Sequence, residues 1–307
     1  MATWRHGRDT RIRVVKCSSQ ACFSGYRCLL YLFARLTETV DFSAENAFGI
    51  KGYSATTYGD SFADVYDEWY ADLDDADFVQ SLVRSLPPTP VRVLELGVGT
   101  GRLVQQFLDL RDGIADTFVG VDSSQAMLDV ATQRNFPSTV TLSVADFSQS
   151  LPDGPFDVVF VGYNTLFNLP NEEAMRACMT LVADRLGDNG IFTFDVVHPI
   201  GDGTTDHTRV RSMTSDEVVL SVSRHDSAAQ RIMGQFIQFK HNGTTHLRPY
   251  SVRYFSPEQL DAMAVEAGLR LVSRTSDGNG TTFTDDSPRH ISKYTKISDS
   301  PSILKAQ

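Results

Sequence analysis

Short apolar runs alternate with longer amphipathic segments between residues 91 and 197. The runs predict strands, and the segments, whose apolar residues recur every three or four positions, predict helices. Strands separated by helices of about 10–15 residues indicate a parallel sheet in a doubly wound α/β fold. The predicted strands are Val91–Leu96, Thr117–Val121, Thr139–Val144, Val158–Val161 and Gly190–Val197, and the predicted helices are Gly101–Leu110, Ser124–Arg134 and Glu172–Leu186.

Two further helical patterns precede the first strand. A single helix is predicted over Ser61–Tyr70, because apolar residues recur there at helical spacing. A second amphipathic helix is predicted over Asp77–Leu86, and the prolines at positions 87, 88 and 90 end it. The spacing of the first helix depends on Phe62, Val65, Tyr66 and Trp69.

The alternation of strands and helices breaks after residue 200. Glu217–Val222, Arg231–Lys240 and Thr244–Tyr254 are typical of strands, and only short polar turns separate them, so we expect an antiparallel unit. This unit would form an insertion over residues 200–254, after the fifth strand. Ligands of open α/β sheets bind at that edge. The insertion is therefore expected to act as a lid.

One helix and two strands follow the insertion. Ser256 as N-cap, Pro257 at the first helical position and Gly268 after the last turn delimit the helix. Strands at Leu269–Thr275 and Arg289–Lys296 complete a seven-stranded sheet. We therefore expect one domain over residues 51–296 and a C-terminal tail over residues 297–307.

Residues 1–50 differ from the rest of the chain. They carry seven basic and four acidic residues and three of the four cysteines, without a regular hydrophobic period. We expect an N-terminal extension with little packing of its own. A targeting peptide and a start codon assigned too far upstream are the alternatives.

Composition and charge exclude several classes of substrate, cofactor and binding partner. The 307 residues carry a formal net charge of −10, which repels phosphate backbones and disfavours nucleic acid and anionic membranes. No apolar run approaches the roughly 20 residues that cross a bilayer. Cysteine spacing matches neither a zinc knuckle nor a disulfide framework, and scattered acids such as Asp157 and Asp195 form no metal pattern. A small-molecule substrate, a cytoplasmic location and no metal are expected.

A glycine-rich loop follows the first predicted strand. The strand ends at Glu95, and Gly97, Gly99 and Gly101 follow at alternate positions before a helix. Glycines are needed there because the chain turns sharply and a ligand approaches the backbone. A dinucleotide fingerprint requires glycine three residues after Gly99, but Arg102 stands there, so an NAD-dependent dehydrogenase is disfavoured.

This loop resembles motif I of class I S-adenosylmethionine (SAM)-dependent methyltransferases, and the similarity extends through most of residues 55–296. The resemblance implies a Rossmann-like seven-stranded sheet, with Gly97, Gly99 and Gly101 facing the methionine part of SAM. It also implies that Glu95 lies near the ammonium group of SAM or a water attached to it. Amino-sugar N-methyltransferases and glycine or sarcosine methyltransferases have a similar insertion.

Acidic residues follow the next two strands at the expected spacing. Asp122, with Ser123 beside it, lies about 20 residues beyond the glycines, where an acid accepts both ribose hydroxyls. Asp146 and Phe147 resemble the adenine-binding element of the family. Each acid could instead cap the turn or helix that follows it. Tyr66 and Tyr70 resemble aromatic residues that close over SAM in related enzymes, and core packing is their alternative.

Candidate catalytic residues follow the fourth and fifth strands. Tyr163 and Asn164 come after the fourth strand and His198 after the fifth, so all three are expected at the ligand edge. His198 has a suitable unperturbed pKa of about 6.5 for a general base, although a structural role before Pro199 fits equally well. Tyr163 and Asn164 could bind the acceptor or hydrogen-bond the strand end.

The sequence therefore predicts methyl transfer from SAM to a nitrogen or oxygen of a small metabolite by in-line displacement. The alternative is a SAM-binding regulatory or partner subunit that has lost catalysis. A homodimer is compatible with the sequence, and the acceptor itself is not encoded in any motif.

Overall fold

The computed structural model describes residues 46–73, 76–201 and 203–297. The predicted N-terminal extension, apart from residues 46–50, and the predicted tail, apart from residue 297, lie outside this part of the chain. Among the described residues, no helix is long and apolar enough to cross a membrane.

A seven-stranded sheet forms the centre of the fold, and its strand order is β10-β11-β5-β4-β1-β2-β3. The strands β1 to β5 are mutually parallel, whereas β11 pairs antiparallel with both β5 and β10. The doubly wound α/β prediction is confirmed. The strands are β1 (Arg92–Leu96), β2 (Thr117–Asp122), β3 (Val140–Val144), β4 (Phe156–Val161), β5 (Leu186–Val197), β10 (Leu269–Thr275) and β11 (Arg289–Lys296).

Helices bury both faces of this sheet, with one large apolar cluster on each face. Ser124, Asn171 and Ser256 cap three of these helices by accepting a hydrogen bond from a first-turn amide. The helices are α1 (Thr57–Phe62), α2 (Tyr66–Trp69), α3 (Ala76–Arg84), α4 (Arg102–Leu110), α5 (Gln125–Thr132), α6 (Glu172–Arg185) and α7 (Pro257–Glu266), with a 3₁₀ helix at Thr165–Asn168.

The helix predicted over Ser61–Tyr70 is wrong, because two short helices, α1 and α2, occupy this segment. The break coincides with a contact from the insertion. Arg248 donates a hydrogen bond to the carbonyl of Ser61, which would accept from the Val65 amide in a continuous helix. The Val65 amide donates instead to the carbonyl of Phe62, at 3.0 Å.

The insertion after β5 is a separate four-stranded antiparallel sheet in the order β6-β7-β8-β9. The three predicted strands are present, but the sequence did not predict β6. This strand lies at the edge of the sheet and is mostly exposed, so it carries little apolar signal. The strands are β6 (Thr204–Met213), β7 (Glu217–Asp226), β8 (Arg231–Lys240) and β9 (Thr245–Arg253).

Candidate functional site

The loop between β1 and α4 adopts a conformation that glycine allows. Gly97, Gly99 and Gly101 have φ angles of 73°, 55° and 75°, in the left-handed region that other residues rarely adopt. A Cβ atom on Gly97 would collide with the methyl group of Thr165, and one on Gly101 would press against the ring of Phe136. A Cβ on Gly99 would meet no protein atom within 4 Å. A ligand can therefore approach the backbone of Gly99 closely.

Asp122, at the end of β2, is held in place by the backbone of this loop. Its Oδ2 accepts a hydrogen bond from the Gly99 amide at 2.9 Å, and its Oδ1 accepts from the Ser124 amide at 2.8 Å. Burial raises the pKa of this carboxyl, while the backbone hydrogen bonds act in the opposite direction. The adjacent Ser123 donates to the carbonyl of Ala55 at 3.0 Å. The carboxylate is therefore fixed in one orientation.

Asp146 and Phe147 follow β3 in the same way. Oδ1 of Asp146 accepts hydrogen bonds from the amide and the hydroxyl of Ser148, at 2.9 and 2.7 Å. The capping role that the sequence left open is therefore present, and Asp146 nevertheless lines the cavity described next. The Phe147 side chain is buried and lines the same cavity.

These strand ends enclose a cavity of about 560 Å³, which we call the cofactor cavity. Gly97, Gly99, Asp122, Ser123 and Asp146 line it, whereas Glu95 and Gly101 do not. Glu95 is buried on β1, and the space over Gly101 is filled by Phe136. The predicted contacts of Glu95 and Gly101 with a ligand are thus not supported by this geometry.

The cofactor cavity fits SAM in size and in chemistry. Its volume lies within the range of about 300–1,000 Å³ that is usual for cofactor sites. Open backbone at Gly99 leaves room for a ligand close to the chain, and the fixed Asp122 carboxylate can accept hydrogen bonds from two hydroxyls. SAM bound here would supply an electrophilic methyl group on a sulfonium centre.

A second cavity, of about 310 Å³, adjoins the first, and we call it the acceptor cavity. Tyr58, Tyr66, Thr165 and Asn168 line both cavities, so the two meet at these residues. The remaining wall combines aromatic and aliphatic side chains with one amide, one carboxylate and one guanidinium. The residues that line the acceptor cavity alone include Tyr70, Tyr163, Asn164, Asp195, Phe236, Tyr250 and Arg289.

The tyrosines of α1 and α2 form a contiguous cluster at this junction. The rings of Tyr66 and Tyr70 lie 4.8 Å apart, and Tyr70 is 5.9 Å from Tyr163. The hydroxyl of Tyr58 donates to that of Tyr70 at 3.4 Å. Burial raises the pKa of Tyr58 and of Tyr66 well above the usual range, so both hydroxyls are protonated at neutral pH.

Tyr163 and Asn164 lie at the turn that follows β4. Both have positive φ angles, 45° and 62°, which is uncommon for residues other than glycine. The Asn164 amide donates to the carbonyl of Asp195 at 2.8 Å, and Oδ1 of Asn164 accepts from the Val197 amide at 3.1 Å. Asn164 thus joins this turn to the end of β5, while Tyr163 contributes its ring to the cavity wall.

His198 does not line either cavity. Its ring packs 5.3 Å from that of Phe283 and 6.4 Å from that of His290, and its amide donates to the carbonyl of Pro288. The geometry therefore supports the structural alternative for His198 over general-base catalysis. Burial lowers the pKa of His290 to about 3, so this neighbour is neutral at pH 7.

Sequence reasoning missed several residues of the acceptor cavity. Asp195 and Arg289 lie on the neighbouring strands β5 and β11, with Arg289 Nε 3.1 Å from Asp195 Oδ1. The one sequence signal for Asp195 is a charged residue within the otherwise apolar end of β5. Tyr58 and Phe236 belong to no recognisable motif. Within the described ranges, no group of three or more His, Cys, Asp or Glu residues is placed to hold a metal ion.

Comparison with known proteins also indicates a methyltransferase. A family model described as a methyltransferase domain matches residues 93–190. The cypemycin N-terminal methyltransferase of a Streptomyces species is 28% identical over 204 residues, which cover 62% of this chain and 78% of that protein.

Two solved structures illustrate the similarity in fold. The CcbJ methyltransferase from Streptomyces caelestis is 34% identical, with a TM-score of 0.71, and the match covers 80% of this chain and all of that one. The sugar N-methyltransferase KedS8 from a Streptoalloteichus species is 16% identical, with a TM-score of 0.56, and covers 94% of this chain and all of that one. The second match shows the shared fold alone.

The full length of a methyltransferase thus aligns with this chain at 34% identity, on the same seven-stranded sheet that positions the glycine loop and Asp122. The chain belongs to the class I SAM-dependent methyltransferases, and SAM is its cofactor.

Proposed function

We propose that the chain transfers the SAM methyl group to a nitrogen or oxygen atom of a small molecule bound in the acceptor cavity. The observation that carries this proposal is that the two cavities meet at Tyr58, Tyr66, Thr165 and Asn168. A donor in the first cavity and an acceptor in the second would then face each other across this junction.

The size of the acceptor cavity favours a small molecule. Its volume of about 310 Å³ is at the lower end of the range for ligand pockets. The net charge of −10 opposes nucleic acid as the acceptor. The names of the sugar N-methyltransferase and of the cypemycin N-terminal methyltransferase among the similar proteins are consistent with a nitrogen acceptor.

The residues around the junction would act mainly by positioning. Holding two reactants in line supplies an effective molarity of about 10⁵–10⁸ M in good models, so few catalytic groups are required. Tyr58 and Tyr66 are partly buried at the junction of the two cavities and would help to exclude water from the transfer. Tyr163, Thr165 and Asn168 would orient the acceptor, and Asp122, Ser123, Asp146 and Phe147 would hold the cofactor.

Radioactive methyl transfer tests this proposal. The full chain is incubated with SAM tritiated on its methyl group and a metabolite extract, and label is measured separately in the small-molecule, protein and RNA fractions. We expect label in the small-molecule fraction, and none when the Gly97→Val variant replaces the wild type. Label confined to protein or RNA overturns the proposal. SAM binding without label in any fraction also overturns it and supports a non-catalytic SAM-binding subunit.

A further inference from the structure

The acceptor cavity combines a buried carboxylate with a set of aromatic rings. Asp195 lies near the end of β5, and only 6% of its side chain is exposed. Among the described residues that line this cavity, Asp195 and Arg289 are the charged ones. The aromatic residues that line the same cavity are Tyr58, Tyr66, Tyr70, Tyr163, Phe236 and Tyr250.

Asp195, Arg289 and Asp77 form a group of charged side chains at this end of the cavity. Arg289 lies between two carboxylates, with Nε 3.1 Å from Asp195 and a terminal nitrogen 3.3 Å from Asp77. Asp77 does not line the cavity, and its other oxygen accepts from the Gly278 amide at 2.7 Å. One guanidinium is therefore shared by two carboxylates, so the formal charges of these three described residues sum to −1.

Other cations near the rings are held outside the cavity. Arg211 lies 5.4 Å from the Tyr70 ring centre and 5.2 Å from that of Phe236, and it donates to the carbonyl of Trp69. Arg102 hydrogen-bonds the Tyr66 hydroxyl. Neither arginine lines the acceptor cavity.

The rings themselves favour a cation. The face of an aromatic ring carries negative charge density and attracts ammonium groups, more strongly where water is excluded. The hydroxyls of Tyr58 and Tyr66 are neutral at pH 7, as in any tyrosine, and burial raises the pKa of both further, so these rings add no anion of their own and can donate hydrogen bonds. A neutral hydroxyl compound could donate a hydrogen bond to the carboxylate, but it lacks the charge attraction that an ammonium group gains from both the rings and the carboxylate.

We propose that the acceptor is a primary or secondary amine that binds in its protonated form, with Asp195 hydrogen-bonding the acceptor nitrogen. This inference rests on the proposed function and names the substrate class of the same site. An N–H proton of a bound primary ammonium would pass to the Asp195 carboxylate, and the nitrogen lone pair would then form the bond to the methyl carbon. The electron pair of the breaking C–S bond would stay on sulfur. The product would leave as a methylated ammonium, and Asp195 would lose its proton to solvent.

Three probes that share one ring test this proposal without requiring the natural acceptor. Cyclohexylamine, cyclohexanol and cyclohexanecarboxylate present a cation, a neutral group and an anion at neutral pH. Their binding to the full chain saturated with S-adenosylhomocysteine is measured by calorimetry. We expect the amine to bind about tenfold or more tightly than the alcohol, and the carboxylate to bind most weakly.

Two isosteric variants separate the role of Asp195 from that of its ion pair. Asp195→Asn and Asp77→Asn each remove one carboxylate from Arg289, but Asp195 alone lines the cavity. We expect Asp195→Asn to lower the preference for the amine over the alcohol by about tenfold and Asp77→Asn to preserve it. If Asp195→Asn fails to fold, Tyr70→Leu provides a second test, with an expected loss of about threefold in the same preference.

The proposal is overturned if the alcohol binds as tightly as the amine, if the amine does not bind, or if both Asn variants change the preference equally. In the labelling experiment, tritium on an oxygen of a small molecule overturns this inference and leaves the proposed function standing. Label confined to protein or RNA overturns the proposed function itself. The two failures are thus distinguishable.

Discussion

The cofactor cavity and the acceptor cavity are built in different ways. In the cofactor cavity, Gly97, Gly99, Asp122 and Asp146 follow three strands that are adjacent in the sheet, and backbone amides orient the Asp122 carboxylate. The acceptor cavity draws side chains from α1, α2, β5, the turn after β4, two strands of the insertion and β11. A site made by backbone turns leaves a spaced motif in the sequence, whereas a site made by distant side chains leaves none.

The largest effect is expected at the backbone of the cofactor cavity. Gly97→Ala places a Cβ against the methyl group of Thr165 at a positive φ of 73°. Because either the loop or Thr165 has to move, we expect SAM affinity to fall by about 100-fold or more. Calorimetric titration with SAM measures the loss.

The matched control is Gly113→Ala, which has a φ of 78° and open space at its Cβ. It carries the left-handed strain of about 1–2 kcal/mol without the collision, so its SAM affinity should stay close to wild type. Equal losses in the two variants would show that strain alone, and not the shape of the cavity, governs binding.

The next effect is expected at Asp122. Asp122→Asn replaces one acceptor oxygen by an NH₂ donor. One group then loses its hydrogen-bond acceptor: the Gly99 amide, the Ser124 amide or a ribose hydroxyl of SAM. We expect SAM to bind about 10–100-fold more weakly, measured by the same titration. Ser123→Ala removes only the hydrogen bond from the neighbouring Ser123 hydroxyl to the Ala55 carbonyl, so we expect a smaller loss of SAM affinity than for Asp122→Asn.

The pH dependence of SAM affinity should follow the protonation of the Asp122 carboxylate. Burial raises the pKa of Asp122 in the folded chain, and the protonated carboxyl is a poorer acceptor for two hydroxyls. As the pH falls, affinity should therefore begin to decline at a higher pH than for an ordinary aspartate. Asp122→Asn should abolish this acid-side decline, and a decline that persists in the variant would assign it to another group.

This contrast also explains what the sequence could predict. The glycines, Asp122 and Asp146 were found because each follows a strand at a recognisable spacing. The break between α1 and α2 could not be predicted, because it depends on Arg248, more than 180 positions away in sequence. Asp195 was noted only as a scattered acid, since its pairing with Arg289 exists only after β5 and β11 align.

The shape of the acceptor cavity should depend on the contacts that hold the insertion against the segment of α1 and α2. Arg248 on β9 is buried and bonds Asp64 with two nitrogens, together with the carbonyl of Ser61 and Gln238. Arg248→Met leaves the Ser61 carbonyl and Gln238 without this donor, so we expect a loss of about 1–3 kcal/mol in stability. Thermal unfolding should show a Tm lower by several degrees.

Arg224→Met is the matched control for this variant. Arg224 also forms a two-nitrogen pair with an aspartate, Asp206, but the pair is exposed and lies within the insertion. Exposed pairs contribute about 0–1 kcal/mol, so its Tm should change little. A similar fall in Tm for both variants would contradict the view that Arg248 joins the two parts of the acceptor cavity.

The smallest effect is expected at His198, although its position after β5 and its residue type made it a candidate base in the sequence. His198 packs against Phe283 and His290 and lines neither cavity, so His198→Ala should leave kcat and the SAM affinity within about twofold of wild type. Loss of this partly buried packing should lower the Tm slightly. Methyl-transfer kinetics and thermal unfolding measure both. Loss of a general base would instead lower kcat by about 100-fold. That result would require His198 to reach the acceptor cavity, and it would contradict the proposal that Asp195 accepts the proton there.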